Sequence, residues 1–401
     1  MGEPSRVRVA GPLEPFAEGF IAELEGSGYR PAAAAVQVRV LAHLSRWMQD
    51  QDVSPAQLGE PELERFRREH LDRFASVRGA GLAVVLGYLR GLGVVAAQEP
   101  RALTAAGELL EEYRRYLTVE RGLTVGTVRG YVDIVRPFVE SRVSLTGEVL
   151  WELSPTDVLG FLLAETGRRS RKSGKLLVSA LRSLLTYWHV QGFIGRPLAG
   201  AVPSVAGWRL AGLPRALEAE QVRALLDGCD RSTVAGMRDF AIVTMLVRLG
   251  MRRGEVAGLR LDDIDWRAGE IIVHGKGARV ERLPLPADVG EAIAVYLRDA
   301  RPPGFSGREV FVRIKAPRRP LTAGGVTQVV VSASKRAGIG EVTAHRLRHT
   351  AATELLRQGA PLHEIGELLR HRSVLTTAIY AKVDRDRLRE LARPWPTGGA
   401  A

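Results

Sequence analysis

Cysteine is almost missing from this chain. One residue, Cys229, occurs among 401, which excludes an intramolecular disulfide and a cysteine-rich metal centre. Long apolar runs are missing too. The most apolar stretch, 81-GLAVVLGYLRGLGVVAA-97, is short, rich in glycine and split by Arg90. It reads as a buried helix and not as a membrane span. The opening MGEPSRVRVAG lacks the apolar core of a signal peptide, so a cytoplasmic protein is expected. What is present is an ordinary globular balance, 45% hydrophobic and 25% charged residues, over a length that suits two or three domains. Lys and Arg total 57 against 45 for Asp and Glu, a net charge of +12 and a pI near 10.3. Such a balance suggests a polyanionic partner, most simply nucleic acid, although basic chains also bind other ligands.

Two breaks separate three blocks. The first is short, near 98-QEPRAL-103. The second, within 192–217, is rich in Gly and Pro and poor in periodicity, as a linker would be. The expected division is a helical domain over 1–100, a second helical domain over 104–195, a linker over 196–213, a mixed domain over 214–392 and a tail over 393–401. The first two blocks resemble one another. Gly28-Tyr29 and the apolar Val38, Val40, Leu41 and Leu44 reappear 94 residues later as Gly122-Leu123 and Val132, Ile134, Val135 and Phe138. Block one therefore reads as a copy of block two, the alternative being chance likeness between small helical domains. Block two also carries Arg168, Arg169, Arg171, Lys172, Lys175 and Arg182. The run 168-RRSRKSGK-175 fits either a solvated loop or contact with a nucleic-acid backbone, and the overall charge favours the second. In the third block helices are expected at 218–228, 236–250, 287–300, 343–358, 361–370 and 375–392. Between them, 270-EIIVHGKGARVERLPL-285 reads as a β-hairpin with Lys276 at its turn.

The stretch 343-TAHRLRHTAATELL-356 begins a helix, with Thr343 as cap and Gly359 beyond its end. His345, Arg348 and His349 lie at i, i+3 and i+4, on one face, and Arg346 points elsewhere. Cations are misplaced at a helix N-terminus unless an anion sits among them. A phosphate site, a solvated basic face and a zinc site on His345 and His349 all remain open at this level. The zinc reading lacks a neighbouring carboxylate or cysteine. In 249-LGMRRGEVAGLRLDDIDW-266, Arg252 and Glu255 sit three apart in an apolar corner, where an arginine must be paired or hold an anion. In 368-LLRHRSVLTTAIYAKV-383, His371 and Tyr380 flank a turn near Ser373, and Tyr380 alone would pass for a core residue.

In order, 214-PRALEAEQVRALL-226, 250-GMRRGEV-256, 274-HGKGARVERLPL-285, 345-HRLRHTAAT-353 and 368-LLRHRSVLTTAIYAKV-383 resemble the five motifs of the tyrosine recombinases, the phage integrase family. Departures are Arg370, where the family usually has Gly, and Gly254, where Ser is common. The resemblance implies all-α core-binding-type N-terminal domains and a mainly α catalytic domain with a small antiparallel β-hairpin or sheet. It implies a site-specific DNA recombinase that cleaves and rejoins duplex DNA through a 3′-phosphotyrosyl intermediate. Tyr380 would be the nucleophile, Arg252 and Arg348 the phosphate clamp, Lys276 the general acid, His345 the proton acceptor and His371 a further phosphate contact, with His349 and Glu255 in support. No metal and no cofactor are required. The implied partner is double-stranded DNA with paired or inverted sites. The implied assembly is a dimer on each site and a tetramer in synapsis, or a hetero-oligomer with sister recombinases of a mobile element, at the nucleoid and not at a membrane. Type IB topoisomerase-like relaxation and a catalytically idle architectural protein are the alternatives.

Overall fold

The computed structural model describes residues 3–70, 80–95, 103–143, 150–204, 216–275, 279–370 and 377. The chain divides into two compact units, Gln98–Ala211 and the combination of Met1–Ala97 with Gly212–Ala401.

The N-terminal part of the second of these holds α1 (Ala17–Gly26), α2 (Pro31–Asp50), α3 (Glu60–His70) and α4 (Ala80–Gly91). Pro31 opens α2, where its missing N–H costs nothing. Ala34, Val38, Leu41, Ser45 and Met48 then form its buried stripe. The buried Ser45 hydroxyl accepts from the Leu13 N–H at 3.0 Å. The apolar run at 81–97 supplies α4, whose Leu82, Val85, Leu86 and Leu89 are buried at helical spacing. No helix among the described residues is long and apolar enough to cross a membrane.

Gln98–Ala211 is built on α5 (Ala105–Val119), α6 (Val125–Arg142), α7 (Pro155–Thr166) and α8 (Arg171–Val190). Thr104, Ser154 and Ser170 cap α5, α7 and α8 with their hydroxyls. Tyr113, Phe138 and Trp188 dominate the core. The two four-helix sets run in the same order, and α6 starts 94 residues after α2. Gly28 and Gly122, which precede these two helices, both adopt positive φ, 81° and 56°. The first part of the Gly- and Pro-rich stretch is packed. Ile194, Leu198 and Val202 are buried in this same core, and Arg182 donates twice to the Val202 carbonyl, at 3.1 and 2.7 Å. Glycine and proline there mark irregular backbone, while isolated apolar residues anchor it.

The remaining part contains α9 (Ala219–Asp227), α10 (Val234–Arg248), α11 (Arg253–Ala257), a sheet, α12 (Ala287–Val295) continuing into a π turn (Tyr296–Ala300), α13 (Ala323–Arg336), α14 (Ala344–Arg357) and α15 (Leu362–Leu368). Its core centres on α10, which packs against α12, α13 and α14. The expected hairpin is present as β2 (Glu270–His274) and β3 (Val280–Pro284), and a short β1 (Ile264–Asp265) extends it to the antiparallel order β1-β2-β3. Ile271 pairs with Leu283 on the buried face. The observed α9, α10, α12, α14 and α15 match the expected helices. Helix α13 was not expected, and the expected helix at 375–392 lies outside the described residues apart from Thr377.

Candidate active site

The site starts where α10 stops. Gly250 follows in the left-handed region, φ 56°, and a Cβ there would stand 2.7 Å from Leu369 Cδ2. Glycine is required on both counts. The close approach brings the backbone leading to α11 against the C-terminal end of α15.

Arg252 is the N-cap of α11. Its N–H donates to Glu255 Oε2 at 2.7 Å, and its Nη1 donates to Glu255 Oε1 at 2.6 Å. The expected Arg252–Glu255 pair therefore forms. It is lopsided: the Arg252 side chain is 39% exposed and that of Glu255 only 4%. Arg252 Nη2 also donates to the Arg370 carbonyl at 2.8 Å. Arg370 closes α15 at φ 54°, a conformation that costs a non-glycine residue roughly 1–2 kcal/mol. Its buried side chain reaches Glu255 Oε2 at 2.7 Å. Burial pushes the Glu255 carboxyl pKa up. The Arg370 charge, then the Arg252 N–H donors and charge, outweigh that and hold it below the usual carboxylate range.

Helix α14 supplies the other half. The Thr343 hydroxyl accepts from the Arg346 N–H at 3.3 Å, confirming the cap. The first Gly after the helix, Gly359, has φ 90°, which suits its stop. Arg348 is buried, 4% exposed. Its Nη1 donates to the Gly250 carbonyl at 2.6 Å and its Nη2 to the Leu369 carbonyl. His345 and His349 meet at 3.1 Å between their Nε2 atoms, with ring centroids 4.4 Å apart. Burial, then the neighbouring His345 and Arg348, lower the His349 pKa to about 4. This imidazole is neutral at ordinary pH.

The structure thus brings Arg252, Glu255, Arg348, His345 and His349 into one neighbourhood, with both arginines fastened to consecutive carbonyls, Leu369 and Arg370. His371 follows Arg370 in sequence; His371, Lys276 and Tyr380 lie outside the described residues. The ends of the Lys276 loop are fixed, with Gly275 N–H donating to the Arg279 carbonyl at 2.7 Å and His274 Nε2 2.8 Å from Asp263 Oδ1. Among the described residues no three His, Cys, Asp or Glu side chains gather where a metal could be held. The His345–His349 pair offers two donors where a structural zinc site uses four.

Arg370 is the residue that local patterns miss. Sequence reading registers it only as an oddity in a glycine position, because its partner is 115 residues away. The basic run of the second block is not the simple loop considered above. Arg171, Lys172 and Lys175 belong to the start of α8. Arg168 and Lys175 are exposed, whereas Arg169 is tied to Glu165 at 2.5 Å.

Residues 215–387 match the model of the phage integrase family, and residues 110–192 match the phage integrase N-terminal SAM-like domain. The chain is 40% identical to a Sinorhizobium fredii protein named integrase/recombinase y4rA, over 99% of this chain and 97% of that one. It is 32% identical to tyrosine recombinase XerD of Listeria monocytogenes, over 71% of this chain and 97% of the other. Its fold is similar to XerH site-specific recombinase bound to a palindromic difH substrate, with a TM-score of 0.56 and 22% identity over 82% of this chain and 93% of that one.

Proposed function

The chain belongs to the phage integrase family of tyrosine recombinases, enzymes of site-specific DNA recombination, and we propose that Arg252 and Arg348 clamp the non-bridging oxygens of the scissile phosphodiester. The observation that carries this reading is the convergence of the two guanidinium groups on the carbonyls of Leu369 and Arg370. Two arginines held at fixed spacing suit the extra negative charge of a pentacovalent phosphorus transition state. The Tyr380 oxygen attacks phosphorus, and the bond to the 5′-oxygen breaks. A tyrosine hydroxyl has a pKa of about 10, so His345 takes its proton. Lys276 returns a proton to the departing 5′-oxygen, and His371 adds a hydrogen bond to the phosphate. The products are a 3′-phosphotyrosyl bond and a 5′-hydroxyl. Attack by a 5′-hydroxyl reverses the step without ATP. His349, neutral and against His345, orients its neighbour, and Glu255 orients Arg252. No metal or other cofactor enters, because guanidinium and ammonium groups supply the positive charge.

The partner is duplex DNA carrying paired or inverted sites, gripped also by Arg168, Arg169, Arg171, Lys172 and Lys175. Assembly is a dimer on each site and a tetramer in synapsis, or a hetero-oligomer with sister recombinases at the nucleoid. The palindromic substrate of XerH supports inverted half-sites. Residues 1–100 are a duplicate of the 104–195 domain. The matched helix order and the shared positive-φ glycines support this.

The test is covalent capture. Full-length protein is mixed with nicked duplexes carrying a randomised core, so that a cleaved strand end diffuses away and religation fails. Wild-type protein should be trapped on a denaturing gel, and the captured DNA reveals the site. Tyr380→Phe should still shift the duplex on a native gel but trap none. Equal trapping by the variant would assign the attack to another residue.

A further inference from the structure

Arg370 stands in a conformation that favours glycine, φ 54°, with its side chain only 3% exposed. A buried guanidinium at a strained backbone position calls for a physical reason. Its Nη2 bonds Glu255 Oε2 at 2.7 Å and its Nη1 bonds the Leu368 carbonyl at 2.9 Å, while Nε is buried without a hydrogen-bond partner among the described residues. Glu255 is thus shared. One carboxylate oxygen takes the Arg252 guanidinium, and the other takes Arg370 and the Arg252 N–H. With Arg252 alone, this buried carboxylate would cancel the charge of the arginine it holds. With Arg370 present, the three side chains carry a net charge of +1 next to the proposed phosphate position.

We propose that Arg370 is a positioning residue for strand cleavage, acting through Glu255: it neutralises the buried carboxylate so that Arg252, still held in place by Glu255, meets the phosphate as an uncompensated cation. This rests on the assignment of Arg252 to the phosphate. The backbone of Arg370 has a separate task, since its turn presents the carbonyls that fasten Arg252 and Arg348. Charge and turn are separable, because glycine supports the same turn without the charge.

The experiment uses full-length protein and a nicked duplex recovered by the covalent capture described above. The duplex carries either an ordinary scissile phosphate or a methylphosphonate, which lacks one non-bridging negative charge. Single-turnover trapping rates are measured for wild type, Arg370→Gly, Arg370→Lys and the double variant Glu255→Gln/Arg370→Gly. Arg370→Gly should slow cleavage of the phosphate by roughly 10–100-fold and of the methylphosphonate much less. Arg370→Lys should stay within a few-fold of wild type. The double variant should recover most of the loss, because the carboxylate has gone along with its counter-charge. Thermal melts and native-gel binding accompany each rate. If Arg370→Gly alone fails to fold, Arg370→Lys and the double variant still decide the matter, and a double variant that folds but cleaves as slowly on both substrates refutes the proposal. Wild-type rates in Arg370→Gly would also overturn it. So would equal losses on both substrates with no recovery in the double variant, which would leave Arg370 a purely structural residue. Failure of wild-type protein to trap any duplex would sink the active-site reading itself, and this inference with it.

Discussion

Acid should destabilise this protein through His349, and His349→Gln should remove part of that sensitivity. The ring is half-buried on α14, with His345 Nε2 at 3.1 Å and Arg348 beside it in sequence. Burial, then these two neighbours, depress its pKa from 6.5 to about 4. The folded value lies below the unfolded one. As the pH falls, the unfolded chain therefore takes up the proton first. The stabilisation is complete above the unfolded value of 6.5 and is lost progressively as the pH falls toward 4. At about pH 5 the unscreened loss would be ~2 kcal/mol. Partial exposure of the ring roughly halves that, leaving about 1 kcal/mol. Urea denaturation of wild type and His349→Gln at about pH 7.5 and about pH 5 measures it. Wild type should lose about 1 kcal/mol more than the variant over that interval. Identical losses in the two proteins would show that the imidazole is not held neutral by its surroundings, and the description of the His345–His349 pair would have to change.

Gly250→Ala should both destabilise and inactivate. The left-handed φ and the 2.7 Å approach to Leu369 together cost about 2–4 kcal/mol, read as a lowered Tm. Displacement of the Leu369 carbonyl should slow covalent trapping beyond any change in DNA binding, and an unchanged Tm and trapping rate would refute the close packing. Lys276→Ala should slow cleavage of an ordinary phosphodiester by roughly 10²–10⁴-fold but recover most of the rate on a 5′-bridging phosphorothiolate, whose leaving thiolate needs no proton. Equal defects on the two substrates would make Lys276 a backbone contact and not the general acid.

Local patterns carried much of the fold. The β-branched run in 270-EIIVH-274 marks a strand, and Ile271 and Val273 are its buried residues. Capping residues at Thr343 and Ser154 stand where hydroxyl groups satisfy the first free N–H groups. Helix α13 was illegible for a definite reason. Its sequence, AGGVTQVVVSASKR, has two glycines in its first turn and contains four β-branched valines, all poor helix formers. What holds it is tertiary: Val326, Val329, Val330 and Ala333 are buried in the core and α13 packs against α10, α11 and α14. The Gly- and Pro-rich stretch after α8 shows the opposite relation between composition and packing. Its composition looks unstructured, yet Leu198 and Val202 are buried at 3% and 1% exposure, in the core of Gln98–Ala211, where neighbouring glycines and prolines hide them from a composition-based reading.

The site divides along similar lines. The face shared by His345, Arg348 and His349 follows from helical spacing alone, and the Arg252–Glu255 pair from the spacing of an N-cap residue and the third residue of the helix it opens. The puzzle of cations at a helix N-terminus has a two-part answer. Arg348 is neutralised in hydrogen bonding, though not in charge, by the carbonyls of Gly250 and Leu369. His349 contributes no charge at ordinary pH, since burial keeps it neutral. The α14 N-terminus therefore opposes fewer positive charges than the sequence displays. The remaining positive charge is stored in a cluster that no window of sequence contains: Glu255 and Arg370 are 115 residues apart, and Arg348 and Gly250 are 98 apart. Burial makes such pairs obligatory, because an unpaired charge at 3–4% exposure would be far costlier than the strained turn at Arg370. That ordering of energies is why an arginine can persist in a glycine position here. The strain is local and small, and the carboxylate it satisfies is the one that holds Arg252.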